Sequence, residues 1–147
     1  HDEAKVPELV KHLGESFWTS PAALRAAAAE RGSAEIYRLP FLMRVVLRDA
    51  RASPLAESAL ARRVRAEGSS CGRTWLATAE DSLLEALVAW REAEDGEEVH
   101  WRDAAMLLAV QGAGLEAEYV QAWAQRLELC DILREAQAQA GVGCALT

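Results

Sequence analysis

Between Ala34 and Leu47 the apolar pattern of this chain changes period. Ala34-Glu35-Ile36-Tyr37-Arg38-Leu39 alternates roughly every second residue. Pro40 interrupts, and Phe41 to Leu47 is apolar and partly β-branched around Arg44. A period of two sends successive side chains to opposite faces of a strand, so two adjacent strands joined as a hairpin are predicted. Helix signals enclose this segment on both sides. The fold class that follows is α/β (α+β), a small mixed sheet with flanking helices and a C-terminal helical bundle.

Those signals are specific. Val6, Leu9, Val10 and Leu13 recur at helical spacing, and Gly14 stops that helix. Ser20-Pro21 is an N-cap followed by proline at the first helical position; the alanine-rich run to Arg31 follows, with Gly32 at its end. Phe17-Trp18-Thr19 between these helices reads as a short extended piece. Ser53-Pro54 repeats the cap and predicts a helix to about Ala66, then a loop at Gly68-Ser69-Ser70 and a short strand at Arg73–Ala77. Thr78-Ala79-Glu80-Asp81 resembles a capping box in which Asp81 reaches back to the Thr78 N–H. Four helices are predicted after it, with an acidic loop from Glu92 to Glu98 and a loose tail from Gly141 to Thr147. The predicted division is an α/β core over 1–77 and a helical region over 78–147.

No stretch approaches the roughly 18 apolar residues that a spanning helix needs, and no basic segment followed by an apolar run opens the sequence. Cys71, Cys130 and Cys144 are odd in number and far apart, without a zinc spacing, so reduced thiols in a cytoplasm are expected. The net charge of −7 argues against a nucleic-acid partner. The charge is nonetheless uneven. Arg38, Arg44, Arg48, Arg51, Arg62, Arg63, Arg65 and Arg73 face only Asp49, Glu57 and Glu67 in the same window. Arg44, Arg48, Arg62, Arg63 and Arg65 are therefore candidates for binding an anion or an acidic protein partner. The plainer readings are an Arg44 that points to solvent or pairs with an acid on an adjacent strand, and an Arg62–Arg65 run on the solvated face of a helix. No aromatic residue interleaves with that run, which weakens a base-stacking site. His12 is expected on the surface of the first helix, and Trp90 and Trp123 on packed helical stripes.

Read in order, several fragments resemble a prokaryotic family of minimal nucleotidyltransferases of the polymerase-β type. Phe17-Trp18-Thr19-Ser20-Pro21 with Ala23-Leu24-Arg25 is similar to the family's F-Y-x-S-P-E-A-x-R segment. Phe41 to Asp49 resembles its F-K-V-D-L-F-V-x-R-D strand, and Thr78 to Asp81 its S-P-E-D helix start. Trp101-Arg102-Asp103 with Leu108 to Gly112 is similar to its W-R-D motif and following helix. Glu118-Tyr119-Val120, Trp123-Ala124 and Leu127 to Leu133 resemble its closing helices. Trp101, Arg102 and Asp103 are the family-motif positions, with helix packing or capping the role expected of them.

The resemblance implies a Gly-Ser turn and an Asp-x-Asp pair that hold magnesium, with a third carboxylate on a neighbouring strand. The Gly-Ser/Asp-x-Asp segment would precede His1. The third carboxylate falls on Arg44 and the family's helix lysine on Ala86. A guanidinium repels a dication, which inverts the electrostatics of such a site. The expectation is a catalytically inactive nucleotidyltransferase-fold binding or regulatory module. Its partner is a protein or a second copy of itself, in a toxin–antitoxin or defence setting, with no metal and no membrane partner. An active magnesium-dependent nucleotidyltransferase acting on a nucleoside triphosphate, with its first strands missing, is the second expectation. A metal-free nucleotide or RNA sensor built on the arginine cluster is the third.

Overall fold

The computed structural model describes residues 2–69, 72–93 and 98–141. They fold as two compact units, 1–58 and 59–147. The first unit holds α1 (Val6–Leu13), β1 (Phe17–Thr19), α2 (Pro21–Glu30), β2 (Ser33–Arg38), β3 (Met43–Arg48) and the start of α3 (Pro54–Arg62). The second holds the end of α3, β4 (Val64–Ser69), β5 (Gly72–Leu76), α4 (Ala79–Glu92), α5 (Glu98–Gln111), α6 (Ala117–Arg126) and α7 (Cys130–Ala140). The fold is thus mixed α and β with a helical C-terminal region. Among the described residues the strands form two small antiparallel sheets, β1-β2-β3 and β4-β5, rather than one mixed sheet.

In the first unit the predicted hairpin forms as β2 and β3, with Ile36 opposite Val45 and Tyr37 opposite Arg44. Pro40 sits in a 3-10 turn, Leu39–Phe41, between them. Ala34 and Ile36 point to one face and are buried, and Ala34 joins Val6 and Leu24 in a core backed by Val10 and Ala27. Ser20 caps α2 by accepting from the Ala23 N–H. The left-handed residue that ends α2 is Arg31 (φ 55°), with the Gly32 N–H donating to the Ala27 carbonyl at 2.9 Å, so the stop falls one residue before the predicted glycine.

Leu42, at the hairpin tip, is also left-handed (φ 48°) and is 76% exposed. Such a conformation costs an L-residue roughly 1–2 kcal/mol, and a glycine there would give part of that back as unfolded-chain entropy. Leu42→Gly is expected to stabilise the fold by about 0.5–1 kcal/mol, seen as a higher denaturant midpoint at unchanged slope. A lower midpoint would mean that the leucine side chain contributes packing here.

In the second unit the largest departure from the expected elements follows α3. The helix predicted to run to Ala66 ends at Arg62, and Val64–Ser69 is a strand paired antiparallel with β5, Val64 opposite Leu76 and Arg65 opposite Trp75. Pairing across the hairpin outweighs the weak helical pattern of Arg62–Ala66. The helices that follow lie close to prediction. α4 packs on α5 and α6, and α7 on α5 and α6. Leu83, Leu84, Leu87, Leu108, Val120, Leu129 and Leu133 form their buried interior. Trp90 and Trp101 stack at 4.8 Å, and Tyr119 and Trp123 at 6.3 Å. Of the acidic loop predicted over Glu92–Glu98, Glu92 ends α4 and Glu98 starts α5; residues 94–97, Ser70, Cys71 and residues 142–147 of the predicted tail lie outside the described residues. Among the described residues no helix is long and apolar enough to cross a membrane.

Candidate functional site

The most distinctive surface of the first unit is the outer edge of its sheet. Among the described residues β3 pairs only with β2, and all six of its side chains are exposed. On one face stand Met43, Val45 and Leu47; on the other stand Arg44, Val46 and Arg48. The apolar surface continues around the tip through Leu39, Phe41 (72% exposed) and Leu42. An edge strand offers a row of unpaired N–H and C=O groups, and proteins ordinarily shield it. A contiguous exposed apolar patch beside such an edge marks an interaction site.

Arg44 lies on the polar face of this edge. Its Nη1 donates to Glu35 Oε1 at 3.3 Å across the hairpin. Glu35 also accepts from the Tyr37 hydroxyl, and that hydrogen bond raises the Tyr37 pKa. Arg44 is thus paired with an acid on the adjacent strand. Arg48 forms no ion pair among the described residues, and Trp18 stacks beside Tyr37 at 5.9 Å.

The other candidate arginines belong to the second unit and do not share one helix face. Arg62 ends α3, Arg63 follows it and Arg65 lies in β4. Arg63 sits 4.8 Å over the Trp75 ring and donates to the Leu60 carbonyl. Arg65 pairs with Glu67 at 3.5 Å and lies opposite Trp75 in the ladder. An aromatic ring does therefore stack with this run, on Arg63, which spacing in sequence conceals. The side chain of Arg73 lies outside the described residues.

Arg62 is the centre of an internal network that sequence reading missed. Its Nη2 lies 3.2 Å from Glu116 and 3.5 Å from Glu80, and its Nε lies 3.5 Å from Asp81 Oδ2. The guanidinium also stacks 3.8 Å over the Tyr119 ring. Asp81 is fully buried. It accepts from the Tyr119 hydroxyl at 2.5 Å and from the Thr78 hydroxyl at 2.8 Å, while its own N–H donates to Thr78 at 3.2 Å. Thr78 thus caps α4 as predicted, but the Asp81 carboxylate accepts from the Thr78 hydroxyl rather than from the Thr78 N–H. Hydrogen bonding to Glu116 raises the Arg62 pKa further. Burial works to raise the pKa of Glu80. Backbone N–H groups of Glu80 and Glu116, the Thr78 hydroxyl and Arg62 outweigh it and hold that carboxyl below its usual value.

Of the family-motif positions, Trp101 packs on Trp90 and donates to Gln139, and Arg102 is exposed. Asp103 lies inside α5 rather than at a cap, on a shallow groove with Ser82, Ala86, Met106 and Val110. His12 is exposed and donates to the Glu8 carbonyl. Among the described residues no three of His, Cys, Asp and Glu are grouped so as to hold a metal ion. Comparison of the chain with family models, with curated proteins and with solved structures finds no match.

Proposed function

We propose that this chain is a non-catalytic, nucleotidyltransferase-like binding module that takes a protein partner on the open β3 edge. The observation that carries the reading is the exposure of all six β3 side chains, continued by the apolar tip at Leu39, Phe41 and Leu42. An extended segment laid along β3 would complete the ladder through main-chain hydrogen bonds and cover Met43, Val45 and Leu47 on one face. The left-handed, exposed Leu42 is consistent with this, because backbone strain of this kind clusters at ligand-binding sites. At the position where the resemblance puts a third metal carboxylate, the Arg44–Glu35 pair does not fit magnesium, since a fixed guanidinium opposes a dication.

The test is site-specific photocrosslinking in the native cell. A crosslinker replacing Val46 is expected to capture another polypeptide, and one replacing Ala109 on the exposed face of α5 is not. Equal labelling at both positions, or none at Val46, would overturn the reading. A melt with nucleoside triphosphate addresses the active-enzyme alternative: stabilisation that requires magnesium would favour it.

A further inference from the structure

The chemistry of the β3 edge restricts what can lie along it. The following rests on the reading that β3 accepts an added strand. Residues paired across a ladder point to the same face, whether the strands run parallel or antiparallel. Along β3 one face presents Met43, Val45 and Leu47, and the other presents Arg44, Val46 and Arg48. β3 carries two cations and no acid. Arg48 is without an ion pair among the described residues, and Arg44 is held by one hydrogen bond to Glu35 with its side chain 64% exposed. The neighbouring tip adds Arg38, stacked 5.3 Å over Phe41.

A second copy of this chain is a poor occupant. Antiparallel self-pairing centred on Val46 sets Arg44 directly against Arg48 of the other copy, twice. Centring on Val45 sets Arg44 against Val46 and Arg48 against Leu42, again with no acid opposite either arginine on the facing strand. Like charges opposite each other destabilise a ladder, whereas opposite charges contribute roughly 0.2–1 kcal/mol per pair. We infer that the natural occupant of β3 is an extended segment of a different protein in which acidic residues alternate with apolar ones. Its acids lie against Arg44 and Arg48, and its apolar residues lie against Met43, Val45 and Leu47.

The test uses fluorescently labelled peptides against the full chain. One alternates glutamate with valine, one alternates lysine with valine, and a third is the glutamate peptide N-methylated along one edge to block the ladder. The glutamate peptide is expected to bind about tenfold more tightly than the lysine peptide, since two attractive pairs replace two repulsive ones. That preference should shrink in Arg48→Glu and at high salt, and the N-methylated peptide should not bind. Equal binding of the glutamate and lysine peptides would overturn the charge inference and leave strand addition standing. Binding of neither would overturn both. A dimer in sedimentation equilibrium that Val46→Lys dissolves would identify a second copy as the occupant and refute the inference.

Discussion

Arg62→Met is expected to destabilise the C-terminal unit by about 3 kcal/mol, the low end of the range for breaking a buried ion pair. Methionine keeps much of the volume, so the loss is electrostatic. The variant leaves Asp81 fully buried and Glu80 nearly so, with Glu116 close by and no guanidinium facing them. Arg62→Lys should recover little, because one ammonium cannot reach three carboxylates and lie flat on Tyr119. Adding Asp81→Asn to Arg62→Met should recover part of the loss, and the non-additivity measures the coupling. The pH dependence has a definite sign. The Glu80 carboxyl has a lower pKa folded than unfolded. Its contribution is present above the usual carboxylate range and is lost as pH falls through the folded value. The wild type should therefore lose more stability on acidification than Arg62→Met. A loss below about 0.5 kcal/mol in Arg62→Met, the scale of an ordinary surface substitution, would show that water already screens the cluster.

The second large effect is expected at Leu108. This side chain is fully buried on α5, the helix that packs against both α4 and α7. Leu108→Ala removes buried methyl groups and leaves a cavity that three helices can close only in part, at a cost of about 3 kcal/mol. Val110 lies two residues along the same helix and is 73% exposed, so Val110→Ala should change stability by less than about 0.5 kcal/mol. Urea unfolding of the two variants reads the contrast as a shift in midpoint at constant slope. Similar shifts for both would mean that Val110 is covered in solution.

Local signals carried well from sequence to structure, and long-range ones did not. The caps at Ser20 and Thr78 and the hairpin at Ala34–Leu47 each depend on residues a few positions apart, so their chemistry is visible in the string. The start of β4 carries a helical pattern up to Ala66 and its end, at Gly68 and Ser69, reads as a loop, because its strand character comes from pairing with β5. The Arg62 network joins residues from three helices, with Arg62 and Glu116 separated by 54 positions. Its local traces in the sequence are the capping box at Thr78–Asp81 and the arginine cluster that includes Arg62; that these meet Glu116 and Tyr119 is not visible there. Arg44 and Arg48 were singled out by charge density. Their significance at a sheet edge depends on which strand lies outermost, and spacing does not reveal that. The exposure of Phe41 and Leu42 was equally hidden, because an apolar residue in a strand pattern reads as core until its neighbours are placed.

The two arginines on β3 also bear on how the protein behaves at high concentration. A bare strand rich in valine and leucine is the kind of segment that seeds stacked aggregates. Guanidinium groups at Arg44 and Arg48 act there as gatekeepers, since each stacking event would bring cations into register. Replacing either by a neutral residue is expected to speed precipitation at high concentration while leaving every buried contact in place, because both side chains lie on the exposed strand.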